Sequence, residues 1–224
     1  EIGCGKGDFL RLICHKANAE GVGYDTTYEG ATVENGGRIR FHRSYLQASE
    51  VSGPFDLVIC RHVVEHVPSI GAFLKDLHEI AFRAGQPITF VETPAFEWIV
   101  RHGAFWDIFY EHCNYFTPPC LSGLMTRAGF AVRKQALSFQ EQYQTLELEN
   151  SVPQFSLLEP PRLSAPDLKS SMAAARQRLE ARLLEAGAAD GWALWGAGAK
   201  GVAILQQITI HPPEFVVDSN PRQQ

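Results

Sequence analysis

The chain begins EIGCGKGDFL, so three glycines, Gly3, Gly5 and Gly7, alternate across the junction between a strand end and an amphipathic helix. Glycines at this spacing let the backbone take positive φ and come close to a ligand, because no Cβ intrudes. The helix that follows offers unpaired N–H groups in its first turn. A dinucleotide fold would place G-x-G-x-x-G at such a junction to seat a pyrophosphate. Here the third glycine comes one residue early and Asp8 follows it, which suits a cationic or uncharged ligand better than a diphosphate. The run GVGYD then ends in Asp25, which in a parallel sheet would lie beside the glycine turn and accept hydrogen bonds from both hydroxyls of a ribose. The turn reads as a nucleoside cradle; the alternative is a glycine-rich turn with no ligand.

Short apolar runs alternate with helical patterns through the first part of the chain: FLRLICHKA, GVGYD, RIRF, FDLVIC, SIGAFLKDLHEIAFRAG and PITFVE. That alternation specifies a doubly wound α/β sheet. Ser69 is the expected N-cap of a helix that buries Phe73, Leu77, Ile80 and Ala81 and ends at Gly85, and Thr117-Pro118-Pro119 opens another that runs to Gly129. FAVRKQALSF and QYQTLELE add two strands, giving a seven-stranded sheet if a truncated first strand is counted. The expected organisation is a ligand-binding domain over 1–150, a Pro-rich linker over 151–166, and a helix plus partial Rossmann-like unit over 167–224. Leu168, Met172, Leu179 and Leu183 make an apolar stripe on that helix for interdomain or dimer packing. Glu1 falls where a first strand is already ending, and the chain reads as an internal fragment.

A net charge of −5 argues against a nucleic-acid backbone as the main partner, which leaves small molecules. Five cysteines without a C-x-x-C pair suggest neither a disulfide framework nor a zinc ribbon, and the cytoplasm is the expected compartment. No apolar run has the length of a membrane span. His62, Glu65 and His66 spell H-x-x-E-H, a zinc pattern, but they follow a strand directly and Pro68 comes two residues later, so the continuous helix that such a site needs is not expected and no metal is assigned. His62 reads instead as lining the cofactor or substrate pocket, together with Arg61.

The passage ETPAFEWIVRHGAFWDIFYEHCNYFTPPC sets Tyr110, Glu111, His112, Asn114 and Tyr115 among many aromatic residues. Polar groups framed by rings suit a ring-shaped substrate, and a histidine titrating near neutrality can take a proton there. The alternative is that the aromatics are core and His112 satisfies a buried carbonyl.

The opening motif, Asp25 and FDLVICRHVVEHVP together resemble class I S-adenosylmethionine-dependent methyltransferases. On that resemblance the cofactor is S-adenosylmethionine, held by Glu1, Gly3, Cys4, Gly5, Gly7, Asp25, Arg61 and His62. Glu111 to Phe116, with WGAGAKG (Trp195 to Gly201) and VVDSNP, is similar to the sugar C-methyltransferase group, which pairs such a domain with a Rossmann-like C-terminal domain and acts on nucleotide-linked keto-sugars. The resemblance implies that His112 removes a proton beside a ketone, that Glu111 supports the imidazolium, and that the resulting enolate takes the methyl group. An aromatic hydroxyl two residues before the glutamate belongs to that group's pattern; here Phe109 stands there, and neighbouring Tyr110 is the candidate to replace it. Asn114, Tyr115, Gly196, Gly198, Lys200 and Asp218 are the expected substrate-binding residues, with oligomeric state left open. By pattern alone, Gly196, Gly198 and Gly201 with Asp218 also spell a NAD site. An O-methyltransferase and a NAD-dependent oxidoreductase therefore stand as alternatives.

Overall fold

In the computed structural model, which describes residues 1–51, 53–152 and 165–219, Ile2 pairs in parallel with Tyr24 on one side and with Cys60 on the other. The elements are α1 (Asp8–Ala17), β1 (Gly21–Tyr24), β2 (Val33–Glu34), β3 (Ile39–His42), β4 (Leu57–Arg61), α2 (Ile70–Arg83), β5 (Ile88–Pro94), α3 (Phe96–His102), α4 (Pro118–Ala128), β6 (Phe130–Ser138), β7 (Tyr143–Asn150), α5 (Ala165–Glu185), β8 (Ala193–Trp195), α6 (Ala199–Gln207) and β9 (Phe215–Val217). The fold is mixed α/β. One ladder runs β1-β3-β2 and a second, four-stranded one runs β4-β5-β7-β6, with Ile2 between β1 and β4. β1/β3 and β4/β5 are parallel, while β5/β7 and β6/β7 are antiparallel. The register sets Arg61 opposite Glu92 at the carboxyl ends of β4 and β5.

Burial organises two apolar clusters. Leu74, Leu77 and Ala81 of α2 and Leu121 and Met125 of α4 pack with Val58, Cys60, Val91, Leu146 and Leu148 of the four-stranded ladder. Leu10 and Cys14 of α1 join Cys4, Tyr28, Ile39 and Phe41. Each fully buried large side chain contributes roughly 1.5–3 kcal/mol, so these faces fix how the helices seat. On α2 the buried residue of the first turns is Leu74; Phe73 is only partly buried, a shift of one position round the helix. Ser69 and Thr117 occupy the N-cap positions of α2 and α4, yet neither side chain caps the helix. Gly129, at φ 104°, closes α4 with its N–H on the carbonyls of Met125 and Thr126, the geometry a C-terminal glycine permits.

The chain divides into two units: Glu1–Ala95 with Cys113–Pro160, and Phe96–His112 with Pro161–Gln224. Segment 96–112 thus groups with the C-terminal residues. Within this second unit α5 packs on α3. Ser171 Oγ donates to the Val100 carbonyl at 2.6 Å, and a Cβ on Gly103 would meet the Ser171 carbonyl. Of the expected apolar stripe, Met172 lines the unit's cavity, while Ala175 on the same helix is buried. β8, α6 and β9 form a strand-helix-strand with a parallel pair, Leu194 opposite Val216. Most of the expected linker 151–166 lies outside the described residues. No described helix is long and apolar enough to cross a membrane.

Candidate active site

The glycine turn at the start of α1 is built from three different constraints. All three glycines have positive φ, 71°, 53° and 82°. A Cβ at Gly3 would strike Val63, one at Gly7 would strike the Phe41 ring, but at Gly5 nothing lies within 4 Å. Gly3 and Gly7 are therefore held by packing, whereas Gly5 faces open space. Asp25 ties the turn to the end of β1: Oδ2 accepts from the Gly5 N–H at 2.8 Å, and Oδ1 accepts from the Thr27 N–H and hydroxyl at 2.8 and 2.7 Å. Burial opposes ionisation of Asp25, but these donors outweigh it and hold its pKa below the usual value. With two donors on Oδ1 and one on Oδ2, it is Oδ2 that retains lone-pair capacity for a ligand hydroxyl.

The turn encloses a cavity of about 380 Å³ lined by Glu1, Gly3, Cys4, Gly5, Asp25, Arg61 and His62, together with Lys6, Asp8 and Phe9. Of the residues expected to hold a cofactor, Gly7 alone is absent from this lining; it buttresses the turn from behind. Glu1 Oε2 is buried and has no hydrogen-bond partner among the described residues, and burial raises the pKa of its carboxyl.

Beneath the cavity lies an ionic network. His62 follows β4 in a left-handed conformation, φ 52°, with its N–H on the Glu92 carbonyl at 2.8 Å. Its Nδ1 lies 3.4 Å from Glu65 Oε1 and its Nε2 lies 3.2 Å from Glu92 Oε1. Arg61 donates from Nε and Nη2 to the same Glu92 oxygen, at 2.9 and 2.7 Å, and its guanidinium lies 3.9 Å from the centre of the Phe9 ring. Glu65, almost fully buried, also accepts from the Thr93 hydroxyl at 2.9 Å. Residues 64–66 make a single 3-10 turn, so the helix that H-x-x-E-H would need as a zinc motif does not form here.

Burial alone would lower the His62 pKa, but the two carboxylates reverse this and raise it to about 9. The imidazole is therefore charged at neutral pH. A raised folded-state pKa stabilises the fold fully below the ordinary value near 6.5 and loses that contribution as pH climbs through 9. A titration of the His62 ring by NMR is expected to show a midpoint near 9, moving down in Glu92→Gln. A wild-type midpoint below 7 is the contrary result.

In the second unit, Phe109, Tyr110 and Glu111 line a cavity of about 440 Å³ together with Ala197 and Ala199 of the C-terminal glycine turn. Tyr110 is 97% exposed. The His112 ring packs on Phe109, with centroids 4.0 Å apart, and the His112 backbone N–H donates to the Phe109 carbonyl. Gly196, at φ 109°, and Gly198 shape the turn, and a Cβ at Gly201 would collide with the Gly196 carbonyl. Asp218 Oδ2 accepts from the Ala197 N–H at 2.6 Å, and Lys200 pairs with buried Asp107. In the first unit Asn114 donates from Nδ2 to the carbonyls of Val64 and Val67, which leaves Oδ1 for a ligand, and Tyr115 is half-buried.

A methyltransferase-domain family matches residues 1–135, well over half of the chain. The chain belongs to that family. It is a methyltransferase by that membership. Comparison with curated proteins finds no match. Among solved structures the methyltransferase is similar to the pyocyanin biosynthetic protein PhzM (TM-score 0.50, 18% identity, covering 66% of this chain and 48% of that one). It is also similar to a protein described as a pericyclic reaction enzyme (TM-score 0.51, 14% identity, 67% and 42%). A Burkholderia thailandensis 1,6-didemethyltoxoflavin-N1-methyltransferase gives a TM-score of 0.48 at 16% identity, covering 67% of this chain and 69% of that one. The chain spans less than half the length of the first two. At these identities the likeness is one of fold.

The cavity residues suit the expected S-adenosylmethionine: Gly5 opens toward the space, and Glu1 presents an acceptor with no partner among the described residues. Sequence reading missed Glu92 and Phe9, and named Glu65 only within the H-x-x-E-H pattern. Glu92 was detectable as a charge closing the otherwise apolar strand ITFVE; its two partners, at 61 and 62, were not.

Proposed function

We propose that this methyltransferase methylates a nucleotide-linked keto-sugar at carbon. The observation that carries this reading is the second-unit cavity, where Tyr110 and Glu111 share one lining with the C-terminal glycine turn. In this reading His112 removes a proton from the carbon beside the ketone, Glu111 supports the imidazolium, and Tyr110 or another donor faces the forming enolate oxygen. A ring-sized acceptor meets exposed Gln206 and Gln207 as hydrogen-bond partners and Ile108 and Val202 as apolar walls. In the same reading Gly196, Gly198, Lys200 and Asp218 bind the nucleotide end, and Asn114 and Tyr115 of the first unit are further substrate-binding residues. Holding reacting groups in line contributes about 7–11 kcal/mol in well-oriented systems, so positioning is the main work of the fold.

Glu1, Gly3, Cys4, Gly5, Asp25, Arg61 and His62 hold S-adenosylmethionine, with Gly7 supporting the turn. When bound, the cofactor supplies an electrophilic methyl group on sulfur. Leaving aside the two-residue β2, we read Ile2 as the central position of a seven-strand, doubly wound sheet, flanked by β1 and β4. The organisation is a cofactor domain over 1–150, from which segment 96–112 groups with the C-terminal residues, joined through 151–166 to a C-terminal substrate unit in the manner of the sugar C-methyltransferase group and acting in the cytoplasm.

A diphosphate seated at the C-terminal turn, whether of a dinucleotide or of the nucleotide-linked sugar, would compete with Asp218 for the Ala197 N–H and with Asp107 for Lys200, so this pairing favours neither ligand over the other. O-methylation would use the same base on a hydroxyl. The two outcomes separate on incubation with nucleoside-diphosphate keto-sugars and methyl-13C cofactor. The expected product carries a carbon-bound methyl resonance; an oxygen-bound methyl overturns the C-methyl reading, and calorimetric binding of NAD would favour the oxidoreductase.

A further inference from the structure

We propose that Arg61 binds the α-carboxylate at the amino-acid end of the cofactor, and that Glu92, outside the cavity lining, is the positioning residue that holds Arg61 for this task. The inference rests on reading the glycine-turn cavity as the cofactor cradle. Three cationic side chains line that cavity: Lys6, Arg61 and His62. Both ring nitrogens of His62 face carboxylates, so it has no spare N–H to offer. Lys6 is exposed on the turn and strongly hydrated. Arg61 is the prepared donor. Its Nε and Nη2 are engaged with one oxygen of Glu92, its plane is braced by Phe9, and Nη1 makes no hydrogen bond to the described residues.

The acids of the cavity point the same way. Asp25 already accepts from Gly5 and Thr27 and faces the ribose hydroxyls in the cradle reading. Glu1 repels a carboxylate but suits an ammonium, and its buried Oε2 has no hydrogen-bond partner among the described residues. A zwitterionic amino-acid end therefore has one favourable orientation, ammonium toward Glu1 and carboxylate toward Arg61. Glu92 is what fixes the second half of it. One buried oxygen takes two Arg61 donors and lies against His62, and the backbone carbonyl of Glu92 accepts from His62 N–H, so Arg61 cannot swing away while β5 stays in place.

The test compares two ligands by calorimetry: S-adenosylhomocysteine, which has the amino-acid end, and 5′-methylthioadenosine, which lacks it. Arg61→Ala is expected to weaken S-adenosylhomocysteine at least tenfold, about 1.4 kcal/mol, with 5′-methylthioadenosine held within about twofold. Glu92→Gln is expected to narrow the ratio of the two affinities in the same direction by a smaller factor, and Arg61→Lys to restore part of it. Retained 5′-methylthioadenosine binding also certifies that each variant is folded. Equal losses for both ligands, or no loss for either, overturn the proposal and leave the cradle reading intact, as does a collapse of the ratio in Lys6→Ala rather than Arg61→Ala. A wild-type protein that binds neither ligand removes the cradle reading and the proposal with it.

Discussion

Replacing His112 with alanine is expected to lower the turnover number for methyl transfer by about 10²–10⁴-fold, the usual contribution of a positioned general base. The affinity for S-adenosylhomocysteine should stay within about twofold, because the cofactor cavity draws its lining from the glycine turn, Asp25 and the end of β4. His112 sits at the end of a short aromatic run, its ring against Phe109 and its backbone N–H on the Phe109 carbonyl. A smaller residue there removes the base without touching the cradle. Glu111→Gln should reduce turnover less, roughly tenfold, since it removes support for a charge rather than the proton acceptor. Turnover unchanged in His112→Ala, measured by S-adenosylhomocysteine release, takes the base role away from this residue.

The second large effect is expected at the glycine turn, where Gly7→Ala and Gly5→Ala should fail in different ways. Both positions carry positive φ, which an L-residue adopts at a cost of about 1–2 kcal/mol. At Gly7 the new methyl also lands 2.5 Å from the edge of the Phe41 ring, which is buried and stacked on Tyr28 at 4.4 Å. Overpacking of that kind adds about 1–3 kcal/mol. Gly7→Ala should therefore lower the melting temperature on the order of 10 °C. Gly5→Ala meets no atom within 4 Å, so it should lose only the ~1–2 kcal/mol of the positive φ while its methyl occupies space meant for the cofactor. Thermal melts alongside S-adenosylhomocysteine titrations check both; the same pattern in the two variants would contradict this division of labour.

That division was only half legible in the residues. The glycine spacing announced a turn of positive φ and the end of GVGYD announced an acid beside it, because both signals are local and chemically narrow. The helices α2 and α4 were legible from apolar period and from Gly85 and Gly129. What each glycine does was not, since the reasons at Gly3 and Gly7 are Val63 and Phe41, partners far along the chain. The Arg61–Glu92 pair likewise depends on the β4/β5 register, which fixes two distant positions side by side only once the sheet exists. At the C-terminal turn the pattern G-x-G-x-x-G was visible, yet Asp218 and Lys200 are turned inward by contacts that no spacing encodes. β2 escaped notice because two residues are too few to show alternation.

The grouping of segment 96–112 with the C-terminal residues carries a consequence for the chain as it leaves the ribosome. Ile99 and Phe105 are 1% and 3% exposed in the finished fold, and their unit is completed by α5 and α6. Synthesis must run from Phe105 to about Ala203 before those helices exist. At about 5–20 residues per second that interval is on the order of 5–20 s. During it the nascent protein displays an aromatic, unfolded stretch between two parts of an otherwise assembling sheet. A shortened version ending near Asn150 would keep that display permanently and is a poor candidate for expression. This methyltransferase therefore has a timing problem that a simple two-bead chain would lack, and its synthesis should be sensitive to holdase chaperones.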